Sequence, residues 1–157
     1  LAFASILTAA SVAARAALWA QRGLAPHLMK EAGSDVAAIT CSVLAASVKA
    51  GDAMVQEVIR DAARWMGLAT ANLINLLVPE VVVYSGSLVT ALGDWMMDEV
   101  RRTVDKNLLP FVEGRVRLVA GLLGEDAVAL GAVGLAREAA QGGAHSARRK
   151  GRGSPRP

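Results

Sequence analysis

The residues best placed to handle a ligand are Ser85-Gly86-Ser87, directly after Val81-Val82-Val83. Three consecutive valines after a proline read as a short strand, and the chain must turn sharply at the glycine before the next helix. In open α/β sheets, ligands sit beyond the carboxyl ends of the strands, so this turn is the first candidate binding element. A plainer reading makes it an ordinary strand-to-helix turn with Ser87 as the helix cap.

Other residue types that carry chemistry are sparse. Cys41 is the only cysteine, which rules out an intrachain disulfide or a thiolate metal cluster, fits a reducing cytoplasm and reads as packing. His27 has no cysteine or second histidine within ligand spacing and reads as a surface or loop residue; His145 lies in the tail. Asp94, Asp98 and Glu99 share a helix face with Arg101 and Arg102, the pattern of a solvated, ion-paired face. Asn72 and Asn75 sit three apart among apolar residues, where their side chains need hydrogen-bond partners from backbone or an adjoining lobe. No catalytic residue and no metal ligand is assigned.

These residues hang on a simple series of elements. Residues 3–21 read as a first helix, ended by Gly23 and Pro26; residues 27–33 are ambiguous, and Ser34-Asp35 caps a turn. Residues 39–50 form a second helix, and Gly51-Asp52 closes it while Asp52 caps the next. In that long helix Val55, Val58, Ile59, Ala62, Trp65, Met66 and Ala69 recur at three- and four-residue steps, with Gln56, Glu57, Arg60, Asp61 and Arg64 opposite. From Gly67 to Leu77 the polar face disappears, which predicts burial on all sides. Pro79 stops the helix, and the unalternated valines predict a strand covered on both faces.

Residues 88–108 then read as one helix with Trp95, Met96, Val100 and Val104 inward, ended by Pro110. Val116, Leu118 and Ala120 alternate with Arg115, Arg117 and Val119, which predicts a half-buried or edge strand. Residues 126–140 form a last helix opened by an acidic pair. The fold class is α/β, helix-rich with few strands. Two short strands make no stable sheet by themselves, so the remaining strands are expected from sequence preceding Leu1.

With 157 residues and 54% apolar content, one domain with an ample core is expected. Five of the 17 basic residues lie in the last ten positions, which leaves 12 basic against 14 acidic residues in 1–147. The domain is mildly acidic, and the basic balance belongs to a tail, 141–157, expected to be disordered. That tail suits weak binding to nucleic acid or an anionic surface, although a merely solvated tail is the plainer reading. The nearly uncharged first twenty residues contain Arg15 and lack a basic flank, so a buried helix is expected rather than a signal or membrane span.

The run AGDAMVQEVIRDAARWMGLATANLINLLVPEVVVYSGSL (50–88), with VRLVAGLLGEDAVALGAVGLAREA (116–139), resembles the carboxy-terminal half of ROK proteins, the repressors, open reading frames and sugar kinases of the actin-like ATPase (ribonuclease H-like) superfamily. Gly51-Asp52, Gly67, Asn72, Asn75, Pro79-Glu80 and Gly131-Ala132 fall at the family's positions, the long helix ending in the family's pattern, roughly "aNLiNLLnPE".

The resemblance implies that residues 1–140 form most of the second lobe of a two-lobed, glucokinase-like kinase. ATP with Mg would lie between the lobes, and glucose or a related hexose would accept the phosphoryl group. It implies that Ser85, Gly86 and Ser87 border the adenine and ribose. The family's phosphate loop, catalytic aspartate, sugar-binding Glu-x-x-Gly-His and zinc cysteines would all lie upstream, so the fragment alone is expected to be inactive. Two positions depart from the pattern. A single glycine, Gly86, replaces two or three in a row, and serine's Cβ hinders close approach and disfavours positive φ. Leu1 falls where a sugar-binding glutamate belongs, and an apolar side chain accepts no hydroxyl hydrogen bond. The resemblance further implies a cytoplasmic homodimer, with no membrane partner. The alternative is the sugar-responsive effector lobe of a ROK-type repressor, the one reading that brings in DNA.

Overall fold

The computed structural model describes residues 8–33, 35–126 and 129–139. The expected tail, Leu1 and the first residues of the expected first helix lie outside them. The chain divides into two units, Leu1–Leu122 and Leu123–Pro157. In the second, a 3-10 turn at Gly124–Asp126 precedes a helical run, 129–139.

The first unit holds α1 (Ala9–Gln21), α2 (Pro26–Ala32), α3 (Cys41–Ala50), α4 (Ala53–Leu77), β1 (Val81–Tyr84), α5 (Ser87–Leu92), α6 (Asp94–Asp105) and β2 (Arg117–Ala120). Thr8 caps α1, its hydroxyl accepting from Ser11 N at 3.2 Å, and the helix buries a stripe of Val12, Ala13, Ala16, Ala17 and Ala20. Small side chains on that stripe let α1 lie close along α4. Pro26 opens α2, where a missing amide costs nothing and the ring presets φ. Asp35 accepts from Ala37 N at 2.9 Å to close the 3-10 turn before α3, and Thr40 caps α3 itself.

Asp52 departs from the sequence reading. It occupies the cap position of α4 but makes no side-chain bond to that helix. Its buried carboxylate instead accepts from His27 N at 3.2 Å and Leu28 N at 2.8 Å, capping α2 across the fold. A carboxylate satisfies free amides at whichever helix start lies within reach. The ambiguous stretch 27–33 is therefore helix as far as Ala32, its start capped by a residue 24 positions beyond Leu28 in the chain.

The long helix α4 is the axis of the unit. Val55, Val58, Ile59, Ala62 and Ile74 are buried against the core, and Gly67 is where α6 crosses it. A Cβ at Gly67 would stand 2.7 Å from Thr103 Cβ and 2.9 Å from Val100 O, so only glycine admits this approach. Burial on all sides does not hold for the second half: Leu73, Leu76 and Leu77 are exposed, Leu76 to 77%. Among the described residues, neighbours bury the face carrying Gly67, Thr70, Ala71 and Ile74. Trp65, expected inward, is 39% exposed. Asn75 meets its expected need through backbone, donating to Asn107 O at 2.9 Å and accepting from Leu109 N at 3.0 Å.

The predicted helix over 88–108 is two helices, broken at Gly93 with φ 53° and ψ −134°, a conformation that suits glycine. Met96, Met97, Val100 and Val104 are buried, while Trp95 is half-buried beneath the Arg60 guanidinium, 5.4 Å from its ring centre. The acidic residues of this face are ion-paired: Arg101 with Asp98 at 3.1 Å and Arg102 with Glu99 at 3.1 Å. Arg64 bridges Glu57 at 3.0 Å and Glu99 at 3.2 Å, tying α4 to α6, and these hydrogen bonds, Glu57 foremost, raise its pKa further.

β1 and β2 run parallel in register, Val81 beside Arg117 and Tyr84 beside Ala120, joined by a crossover through α5 and α6. The expectation that β1 is covered on both faces is corrected. Val82 and Tyr84 turn to the helices, whereas Val81 and Val83 are 40% and 59% exposed. Side chains alternate across a strand whatever their polarity, and the described residues place cover on one face only.

Candidate functional site

The carboxyl ends of β1 and β2 meet at the turn singled out by sequence. Its form starts with Tyr84, whose buried hydroxyl donates to Thr70 Oγ1 at 2.8 Å and pins the strand end to α4. Burial raises the Tyr84 pKa above its ordinary value, with the Thr70 hydrogen bond opposing. From β2, Gly121 N donates to Tyr84 O at 2.7 Å, holding the two strand ends together.

Gly86 then takes φ 129° and ψ 160°, a region open essentially to glycine alone. The space beside it is open: a Cβ there would meet nothing within 4 Å, so the constraint is the backbone itself. Ser85 is exposed and Ser87 half-buried, and neither has a positive φ. The serine substitutions thus fall where ordinary backbone tolerates them, and the lone glycine holds the one demanding conformation.

Ser87 is not the cap. Gly86 holds that position, with its carbonyl accepting from Thr90 N and Thr90 Oγ1, each at 3.0 Å, while Ser87 Oγ accepts from Cys41 Sγ at 3.3 Å. Cys41 is therefore more than core filling: it ties the start of α3 to the turn. Sequence reasoning missed that contact, and also Gly121. A Cβ on Gly121 would crowd Tyr84 O at 3.3 Å and Ser85 Cβ at 3.4 Å. The one available signal was a glycine directly after the second strand.

His27 lies at the start of α2, its ring Nδ1 3.4 Å from the buried Ser47 hydroxyl. Among the described residues no group of three or more His, Cys, Asp or Glu side chains stands close enough to hold a metal ion. A groove of about 510 Å³ between α4 and α6, lined by Asp61, Arg64, Trp65, Glu99, Thr103 and Lys106, shares no residue with the turn. Its acidic and basic groups are largely paired with one another.

The family model described as "ROK family" matches residues 10–139. The chain belongs to the ROK family. No curated protein matches by sequence. Among solved structures, a ROK family glucokinase from Streptomyces griseus, in complex with glucose and AMPPNP, is similar at 23% identity with a TM-score of 0.75, over 87% of this chain and 44% of that one. A sugar kinase assignment from Cytophaga hutchinsonii is similar at 20% identity and a TM-score of 0.54, over 74% of this chain and 41% of that one. A ROK family transcriptional regulator, homolog of the E. coli MLC protein, is similar at 20% identity and a TM-score of 0.50, over 66% and 27%. At these identities the likeness shows the fold: this ROK chain is α/β of the actin-like ATPase type, helix-rich with few strands. It spans less than half the length of the structures it resembles. No helix among the described residues is long and apolar enough to cross a membrane.

Proposed function

We propose that this chain forms the carboxy-terminal lobe of a ROK-type sugar kinase that phosphorylates glucose or a related hexose with ATP. The observation that carries the reading is the turn at Gly86. It lies at the carboxyl end of a parallel strand pair, in a glycine-only conformation with open space beside it. A turn of that form lets backbone lie against a flat ligand, and Ser85, Gly86 and Ser87 are the residues that would border the adenine and ribose. ATP, when bound, supplies the phosphoryl group. The chain's own part is to hold the turn: Tyr84 anchored on Thr70, Gly121 clasping Tyr84 O, Cys41 bonded to Ser87. Similarity to a glucokinase solved with glucose and a nucleotide supports the same reading.

The test is ATP-dependent phosphorylation of glucose by the protein as its cell makes it, beside the Gly86→Val variant. Turnover by the parent, with a raised KM for ATP and a little-changed KM for glucose in the variant, is the expected result. A parent that leaves glucose and related hexoses unphosphorylated overturns the proposal. The second reading, the effector lobe of a sugar-responsive repressor, is favoured by the likeness to the ROK regulator over 66% of this chain. Sugar-dependent release of operator DNA without phosphorylation would establish it. Either reading takes the protein to be a homodimer, which sedimentation measures directly.

A further inference from the structure

The starts of α3 and α5 meet where the Cys41 thiol donates to the Ser87 hydroxyl at 3.3 Å. Further along the same two helices lies a cavity of about 200 Å³. It is lined by Ala45, Val48 and Lys49 of α3, Ala91 and Leu92 of α5, and Trp95 at the start of α6. Ala45 stands four residues past Cys41 and Ala91 four past Ser87, so the cavity begins about one helical turn from that contact.

Its lining divides by polarity. Ala45, Val48 and Leu92 are buried, and Ala91 and Trp95 are half-buried, so the walls are apolar. An apolar cavity of about 150 Å³ admits a benzene ring, and this one is larger. Lys49 is the single charged lining residue, and its exposure leaves the ammonium at the solvent side. Among the described residues no carboxylate pairs with it. The acidic residues nearest Trp95 in sequence are engaged elsewhere, Asp94 and Asp98 lying 3.9 Å and 3.1 Å from Arg101. Arg60 sits over the Trp95 ring at 5.4 Å and steadies it.

We propose that this cavity is a regulatory site for a small carboxylate bearing an apolar ring or branched chain. The acid group would accept a charge-assisted hydrogen bond from Lys49, and the apolar part would lie against Trp95, Ala91 and Leu92. Apolar walls with one unpaired cation at the rim suit that class and disfavour a sugar, whose hydroxyls would find no partners. A ligand seated there presses on the two helices whose starts carry Cys41 and Ser87, and so reaches the turn at Gly86. The cavity shares no residue with that turn, and the inference does not rest on the kinase reading.

Phenylacetate is the probe and phenylacetamide its uncharged counterpart, each titrated into the full polypeptide while magnetic resonance follows the Trp95 indole N–H and the Gly86 amide. Loss of a signal in Trp95→Phe identifies the indole. Saturable shifts at both groups are expected, with Trp19 unmoved. Phenylacetate should bind about two- to fivefold more tightly than phenylacetamide, as one exposed charge pair contributes. Lys49→Gln should erase that difference, and Ala91→Leu, filling the cavity from a half-buried position, should abolish both titrations. Equal affinity for the two probes, no shift at Trp95, or a shift at Trp95 without one at Gly86 would each overturn the proposal. Displacement of phenylacetate by AMPPNP would also overturn it, by making the cavity part of a nucleotide site. A protein that phosphorylates no sugar leaves it standing.

Discussion

Tyr84 is the single tyrosine of the chain, so its ionisation can be read without interference. Burial favours the neutral phenol in the folded protein and raises its pKa from 10.0. The folded state thus holds the proton more tightly than the unfolded chain. The stability contributed this way is complete below pH 10.0 and is lost as pH rises through the higher folded value. Tyrosinate absorbance followed against pH should show a midpoint above 10.0 in the native protein and near 10.0 in denaturant. Tyr84→Phe should abolish that titration and cost about 0.5–1.5 kcal/mol for the hydrogen bond to Thr70. Asp52→Ala should cost more, about 1–3 kcal/mol, because two amides at the start of α2 lose their acceptor in a buried place. Urea denaturation measures both.

Helix ends and crossings set the next tier. Val78, at the end of α4, has φ 45° and ψ 55°, the left-handed conformation that a β-branched residue resists. Asparagine, whose short polar side chain hydrogen-bonds locally, tolerates that region. Val78→Asn should therefore raise stability by about 1 kcal/mol, seen as a higher midpoint in thermal unfolding. Gly67→Ala goes the other way. Its methyl would press on Thr103 Cβ and on the rigid Val100 carbonyl, forcing α4 and α6 apart at a cost of about 1–3 kcal/mol. Combining it with Thr103→Ser, which leaves Cβ in place, should restore little, since backbone and Cβ are the obstruction.

Across the whole of the first unit, the long helix α4 organises both the packing and the turn. It carries Thr70 under Tyr84, Gly67 under α6 and the face that receives α1. Loosening the Gly86 turn should therefore be separable from unfolding. Gly86→Val meets open space, so its penalty is backbone strain confined to the turn, about 1–3 kcal/mol, while α4 and its contacts persist. Helical circular dichroism should remain near that of the parent, and under the proposed kinase reading nucleotide affinity falls.

The sequence by itself determined the family, the helix-rich α/β class, the amphipathic first half of α4, the proline stop and the two strand positions. Each of these follows from local spacing or from the run of residues 50–88 and 116–139. Tertiary structure alone decided that Asp52 serves α2, that Gly93 splits a helix and that Cys41 reaches Ser87. It also decided that Val81 and Val83 face outward. The reason is physical. Periodicity reports which side chains avoid water, but a carboxylate, a thiol or a strand face finds its partner only once distant segments lie side by side.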